Sequence, residues 1–300
     1  MAKGLFTQGI ALLFEQAPNL DRLAEAVGLT EARRREDTQG WEVSSRGLLF
    51  PYRPEVNGWL DLDVVDLPWP DSMGGPQEQP ALFAAWSMGH FGPFAWPGAL
   101  QRAQEQAWDW PDQASQVVGR HGAFVRLRLT YAIGIGPDDP ILPEGLDALE
   151  ELRFLTELLP RLLELPGALA YFNPNADLVL DLEGVRRKLE GALQDDRFAL
   201  DLWRNIRFFR LSEETSMMDT VGLAQLGLPD LEVTFPSSAD PDEIAWRLAN
   251  LAGYMADQGD VLLPGNSVDG PDSQLWWVER VEESELLPPR RLVRLLADQA

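Results

Sequence analysis

Four aspartates crowd one short stretch of the chain: Asp61, Asp63, Asp66 and Asp71. Alternate residues of a strand place two carboxylates on one face about 7 Å apart, and oxygen donors so arranged are raw material for a calcium or magnesium site. A metal-assisted hydrolase would use such a cluster, with His90 as an accessory base. The other reagents are scarce. The 300 residues include no cysteine and two histidines, His90 and His121, which excludes thiolate nucleophiles and Cys- or His-rich transition-metal sites. Neither histidine has a partner at metal-ligand spacing, and Ser87 lacks the strand–turn–helix setting of an activated serine. Gly134-Ile135-Gly136 follows a strand, but no third glycine opens a helix there, and Asp138 and Asp139 would repel phosphate.

Strand alternation is the plainer account of the aspartates. Leu60, Leu62 and Val64 alternate with Asp61 and Asp63, which predicts a half-exposed strand with one core face and one solvated acidic face. The expectation is therefore no catalytic residue and no metal, with Asp61, Asp63, Asp66 and Asp71 as the alternative metal set. Both histidines are expected to be structural. The most unusual local composition is aromatic: Trp69, Phe83, Trp86, Phe91, Phe94 and Trp96 within 28 residues of proline- and glycine-rich chain. So much apolar area must largely pack over a sheet. Large aromatics also anchor interfaces, so Trp86, His90, Phe91, Phe94 and Trp96 are the candidate partner-binding residues.

The elements that must position these residues follow from periodicity. Apolar residues at period two predict strands over 6–15, 47–52, 59–66 and 123–132. Helical spacing marks 21–27 and 99–110, and 67–98 reads as an ordered loop packed on the body. That order, βαββαβ, is the ferredoxin-like one. A Gly/Pro/Asp-rich connector at 134–145 is the candidate boundary, followed by a helix over 146–165. The same order can be read again: strands at 168–172, 205–211 and 231–235, a helix at 182–193, another opening at Asp240-Pro241, and strands to the end. The predicted fold is α+β, two ferredoxin-like halves packed together with mostly antiparallel sheets. The predicted domains are 1–140, a bridging helix at 141–166, and 167–300.

The charge is lopsided, 48 acidic against 25 basic residues and a net −23. Such a field repels nucleic acid and anionic lipid and attracts basic surfaces. No window reaches the roughly 18 apolar residues of a membrane span, and the apolar run at 9–14 is too short for a secretory signal, so cytoplasm is expected.

Several stretches resemble an uncharacterised bacterial family, domain of unknown function 4261. They are Phe6-Thr7-Gln8-Gly9-Ile10, Asp66-Leu67-Pro68-Trp69-Pro70-Asp71-Ser72-Met73-Gly74, Gly89-His90-Phe91-Gly92-Pro93-Phe94, Met218-Asp219-Thr220-Val221-Gly222, Leu228-Pro229-Asp230-Leu231-Glu232 and Pro288-Pro289-Arg290-Arg291. The resemblance runs along nearly the whole chain. It implies a bacterial, soluble, cytoplasmic protein and brings no activity and no catalytic residues. A looser association with secreted-toxin gene neighbourhoods implies an immunity role by analogy. The functional expectation is a non-catalytic acidic binding protein, an immunity or adaptor factor engaging a basic protein partner, without cofactor, nucleic acid or membrane. The alternative is the metal-assisted hydrolase.

Overall fold

Residues 6–14 read FTQGIALLF, almost unbroken apolar sequence, and they form β1 (Phe6–Phe14) near the middle of a wide sheet. Such a run suits a strand covered on both faces. The structure is a computed structural model that describes residues 3–35, 46–108, 110–136 and 140–297. The chain divides into two units, residues 1–202 and 203–300.

The first unit contains β1, α1 (Leu20–Val27), β2 (Arg33–Arg35), β3 (Gly47–Arg53), β4 (Gly58–Val65), α2 (Pro80–Ser87), α3 (Ala99–Glu105), α4 (Pro111–Arg120), β5 (Ala123–Thr130), α5 (Ala148–Leu163), β6 (Ala168–Asn173), β7 (Leu178–Leu180) and α6 (Leu182–Gln194). Its seven strands lie in the order β2-β3-β4-β5-β1-β6-β7. Every neighbouring pair is antiparallel. Alternation sends Ala11, Leu13, Val65, Phe124 and Phe172 to one face, where they form a core with Trp69, Trp86, Phe91 and Leu100. Leu12, Leu62, Leu127 and Leu129 take the opposite parity, and α5 packs on β1 and β6. Helix α5 starts where Asp147 accepts from the Leu149 and Glu150 N–H groups, and it buries Leu152, Leu155, Leu159 and Leu162.

The second unit contains β8 (Asn205–Arg210), β9 (Thr215–Val221), β10 (Asp230–Pro236), α7 (Pro241–Gln258), β11 (Ser267–Asp269), β12 (Leu275–Val281) and β13 (Leu292–Ala297). Its sheet order is β11-β12-β13-β10-β9-β8. Among its described strands only β10 and β13 pair in parallel, as a strand-crossover-strand path through a helix requires. Helix α7 opens with the Asp240 cap and Pro241, buries Ile244, Leu248, Ala252 and Met255, and packs on β8, β9 and β10.

The α+β class and the mostly antiparallel sheets agree with the sequence. The ferredoxin-like halves do not appear: β5 lies between β4 and β1, and the first sheet continues through β1 into β6 and β7. The contact boundary falls at Leu202/Trp203 rather than within 134–145. Residues 141–166 therefore lie inside the first unit, where α5 is a crossover between β5 and β6 and bridges no halves. The stretch at 67–98, expected as an ordered loop, contains α2. Among the described residues no helix is long and apolar enough to cross a membrane.

Candidate functional site

Asp61 and Asp63 are on β4, and register places them opposite Arg128 and Arg126 of β5. All four side chains are buried. Asp63 accepts from Arg126 Nε at 2.9 Å and also from Arg126 Nη2, and Arg128 Nη2 lies 3.2 Å away. Asp61 accepts from Arg128 Nη2 at 2.7 Å and from Arg35 Nη2 of β2 at 2.5 Å. The expected solvated acidic face is thus an internal ladder of ion pairs. Period two did place the aspartates on a common face, but that face is roofed by aromatic chain and the charges are met by arginines at matching parity.

The roof is the segment that holds His90. Its carbonyl accepts from Arg126 Nη1 at 3.3 Å and Arg128 Nη1 at 3.5 Å. Phe6 stands edge-on to the His90 ring, and the Arg128 guanidinium lies 4.3 Å from the Phe6 centroid. That stacking faces an arginine whose Nε has no hydrogen-bond partner and whose pKa burial lowers, with the Arg126 charge adding to the effect. Asn175, in the turn after β6, ties the roof to the sheet. Its Nδ2 donates to the Gly9 carbonyl at 2.6 Å, and its Oδ1 accepts from Phe94 N at 2.9 Å. Gly92 is required at that contact: its φ is +128°, and a Cβ there would stand 2.6 Å from Asn175 Oδ1.

The nominated residues therefore share one neighbourhood but present little to solvent. Trp86, His90 and Phe91 are buried, Phe94 is half-buried, and Trp96 is 37% exposed with Lys3 Nζ 4.7 Å over its ring. Trp69, Trp86, Phe91 and Phe124 pack mutually at centroid distances from 4.6 to 6.4 Å, as core aromatics do. Trp86, His90 and Phe91 therefore offer a partner little surface, and of the five candidates Trp96 presents the most. Asp66 is exposed beyond the end of β4, and Asp71 accepts from Leu100 N and Gln101 N at 2.9 and 2.7 Å at the start of α3. The four aspartates do not converge. Among the described residues no group of three or more His, Asp or Glu side chains is placed to hold a metal ion. Three guanidiniums around Asp61 and Asp63 would also repel a divalent cation.

His121 has a structural role. Its Nε2 accepts from Trp69 N at 2.9 Å and its Nδ1 lies 2.6 Å from the Val118 carbonyl, so the neutral ring with the proton on Nδ1 satisfies both. Burial lowers its pKa. Glu151 on α5 carried no sequence signal. Its Oε1 accepts from Thr7 Oγ1 at 2.7 Å and Tyr131 OH at 2.9 Å, and burial raises its pKa. A surface cleft of about 370 Å³ beside the α1 start is lined by Glu15, Asn19, Arg22 and Gly167, none of them nominated.

The second unit contains a similar node. Asp219 on β9 accepts from Arg207 Nε at 2.8 Å and from Arg290 Nη2 at 2.5 Å. Asp230 accepts from Thr220 Oγ1 at 2.8 Å and Leu223 N at 3.1 Å, with Arg290 Nε 3.5 Å away. Burial outweighs those donors and pushes the Asp230 pKa up to about 6. Arg290 also donates to the Thr220 and Pro288 carbonyls. Arg126, Arg128, Asp219, Asp230 and Arg290 are all buried. These buried charges meet one another across neighbouring strands and hold them in register.

Residues 219–296 match the family model of a domain of unknown function (DUF4261). The matched span covers the Asp219, Asp230 and Arg290 node, whereas the three N-terminal stretches that resemble the family lie outside it. No curated protein and no solved structure matches the chain.

Proposed function

We propose that this chain is a non-catalytic acidic binding protein that engages a basic protein partner, as an immunity or adaptor factor does, in a bacterial cytoplasm. The observation that carries the reading is a contrast in where the charges are. The residues with chemical potential, Asp61, Asp63, His90, Arg126, Arg128, Asp219 and Asp230, are buried and mostly tied up in pairs. The surplus acid behind the net charge of −23 is left to the surface, where it steers association with oppositely charged proteins. Hydrolysis through Asp61 to Asp71 has no supporting geometry, since Asp66 and Asp71 lie apart from the arginine-bound pair.

The test is capture from the native host at about 0.05 M salt, where the screening length exceeds 10 Å, with elution by salt. Basic proteins in the salt eluate are expected. Capture confined to acidic proteins, or none at all, would contradict the proposal.

A further inference from the structure

The second sheet has two unlike faces. Trp276, Val278, Val293 and Leu295 are buried at one parity of β12 and β13. At the other parity Leu275, Trp277 and Leu296 are exposed, by 38%, 41% and 44%. Trp277 and Leu296 are directly opposite in register, and Leu275 lies two residues along β12 on the same face. Three large apolar side chains thus group on one partly exposed part of the sheet, the composition of an interaction site.

The surroundings select that partner by charge. Asp269 of β11 is opposite Leu275, and Glu279 follows Trp277 on the same face of β12. Glu282, Glu283 and Glu285 follow in the next loop, all exposed. Arg294, opposite Glu279, lies 2.6 Å from Glu232 and 3.9 Å from both Glu279 and Glu285, so its charge is spent on neighbours. A second copy would bring a matching acidic rim against this one, and nucleic acid or anionic lipid would be repelled.

We propose that Leu275, Trp277 and Leu296 are the docking surface for a basic protein segment that carries apolar side chains among its lysines or arginines. The apolar centre supplies affinity, and the surrounding carboxylates align the segment and speed encounter. This rests on the binding reading above and relocates its anchor from the aromatic stretch of the first unit to the second.

The probe is a short alternating Lys-Leu peptide, titrated at about 0.05 M salt against the full chain and its Trp277→Gln, Leu296→Gln and Trp246→Gln variants. An alternating Glu-Leu peptide is the control. Trp246 is an exposed tryptophan of α7 outside the patch. The Lys-Leu peptide should bind at least tenfold more weakly to Trp277→Gln and Leu296→Gln, with Trp246→Gln unchanged and the Glu-Leu peptide silent. Two variants, each checked for an unchanged unfolding temperature, guard against misfolding of one. Equal affinity for all variants overturns this surface while leaving a basic partner in place. No Lys-Leu binding even to the unsubstituted chain overturns both. A dimer in sedimentation that Trp277→Gln dissolves would assign the surface to a second copy and overturn the proposal.

Discussion

Replacing Asp63 by asparagine should cost the first unit about 3–5 kcal/mol, the range for breaking a buried ion pair. Asp63 is fully buried and accepts from Arg126 through two nitrogens, with Arg128 at 3.2 Å. Asparagine keeps the shape and one carbonyl acceptor but removes the charge. Arg35, Arg126 and Arg128 would then face Asp61 alone. Because the amide still accepts one bond, the lower half of the range is expected. For a unit of 202 residues each kcal/mol moves the melting temperature by about 2–4 °C, so a fall of about 6–16 °C is predicted. Calorimetry of the whole chain reads the transition, and hydrogen exchange at β4 and β5 amides assigns it to the first unit. Asp66→Asn, at an exposed position, should stay within about 0.5 kcal/mol. Replacing the pair together, Asp63→Leu with Arg126→Met, should recover part of the loss. A single-variant loss under about 1 kcal/mol, indistinguishable from Asp66→Asn, would refute the ladder as a stabilising device.

The same roof predicts that Phe91→Ala costs about 3–5 kcal/mol by opening a cavity, whereas Trp96→Ala, 37% exposed, costs about half as much; urea unfolding that shows equal losses would contradict this packing. Asp230 and His121 should respond to pH with opposite sign, while Glu151 of the first unit, its pKa raised by burial, acts in the same sense as Asp230. Asp230 has a folded pKa of about 6 against an ordinary 3.8, so the folded form holds the extra proton between those values, and the second unit loses stability as pH rises from 4 to 6. Asp230→Asn should flatten that slope in thermal melts, and an unchanged slope would discount the node. In the first unit burial lowers the His121 pKa from 6.5, so the unfolded chain binds the extra proton, and stability is lost as pH falls below about 6.5. His121→Gln should remove that dependence, and its persistence would place the responsible group elsewhere.

Local elements were legible where periodicity was strong. The Asp240-Pro241 start marked α7, and the alternation over 59–66 marked β4. Topology was not, because element order alone does not say that β5 inserts between β4 and β1, nor that the sheet runs on into β6. The aspartates misled for a related reason. A strand covered on one face by helices and on the other by aromatic chain shows the same alternation as a half-exposed one when its polar residues are paired. One signal for the pairing was present: Arg126 and Arg128 alternate on β5 as Asp61 and Asp63 do on β4. Asn175 and Glu151 act through contacts 166 and 144 residues away in sequence, beyond any local pattern. The exposed patch of β12 was hidden because Trp276 and Trp277 are adjacent, and only register separates the buried one from the exposed one.

The most direct test of a steered, non-catalytic binder is the association rate of a captured partner measured from about 0.05 to 0.5 M salt, where screening changes most. The partner should be basic, and the rate should fall by at least tenfold across that range while dissociation changes little. A rate indifferent to salt, or an acidic partner, would contradict the account.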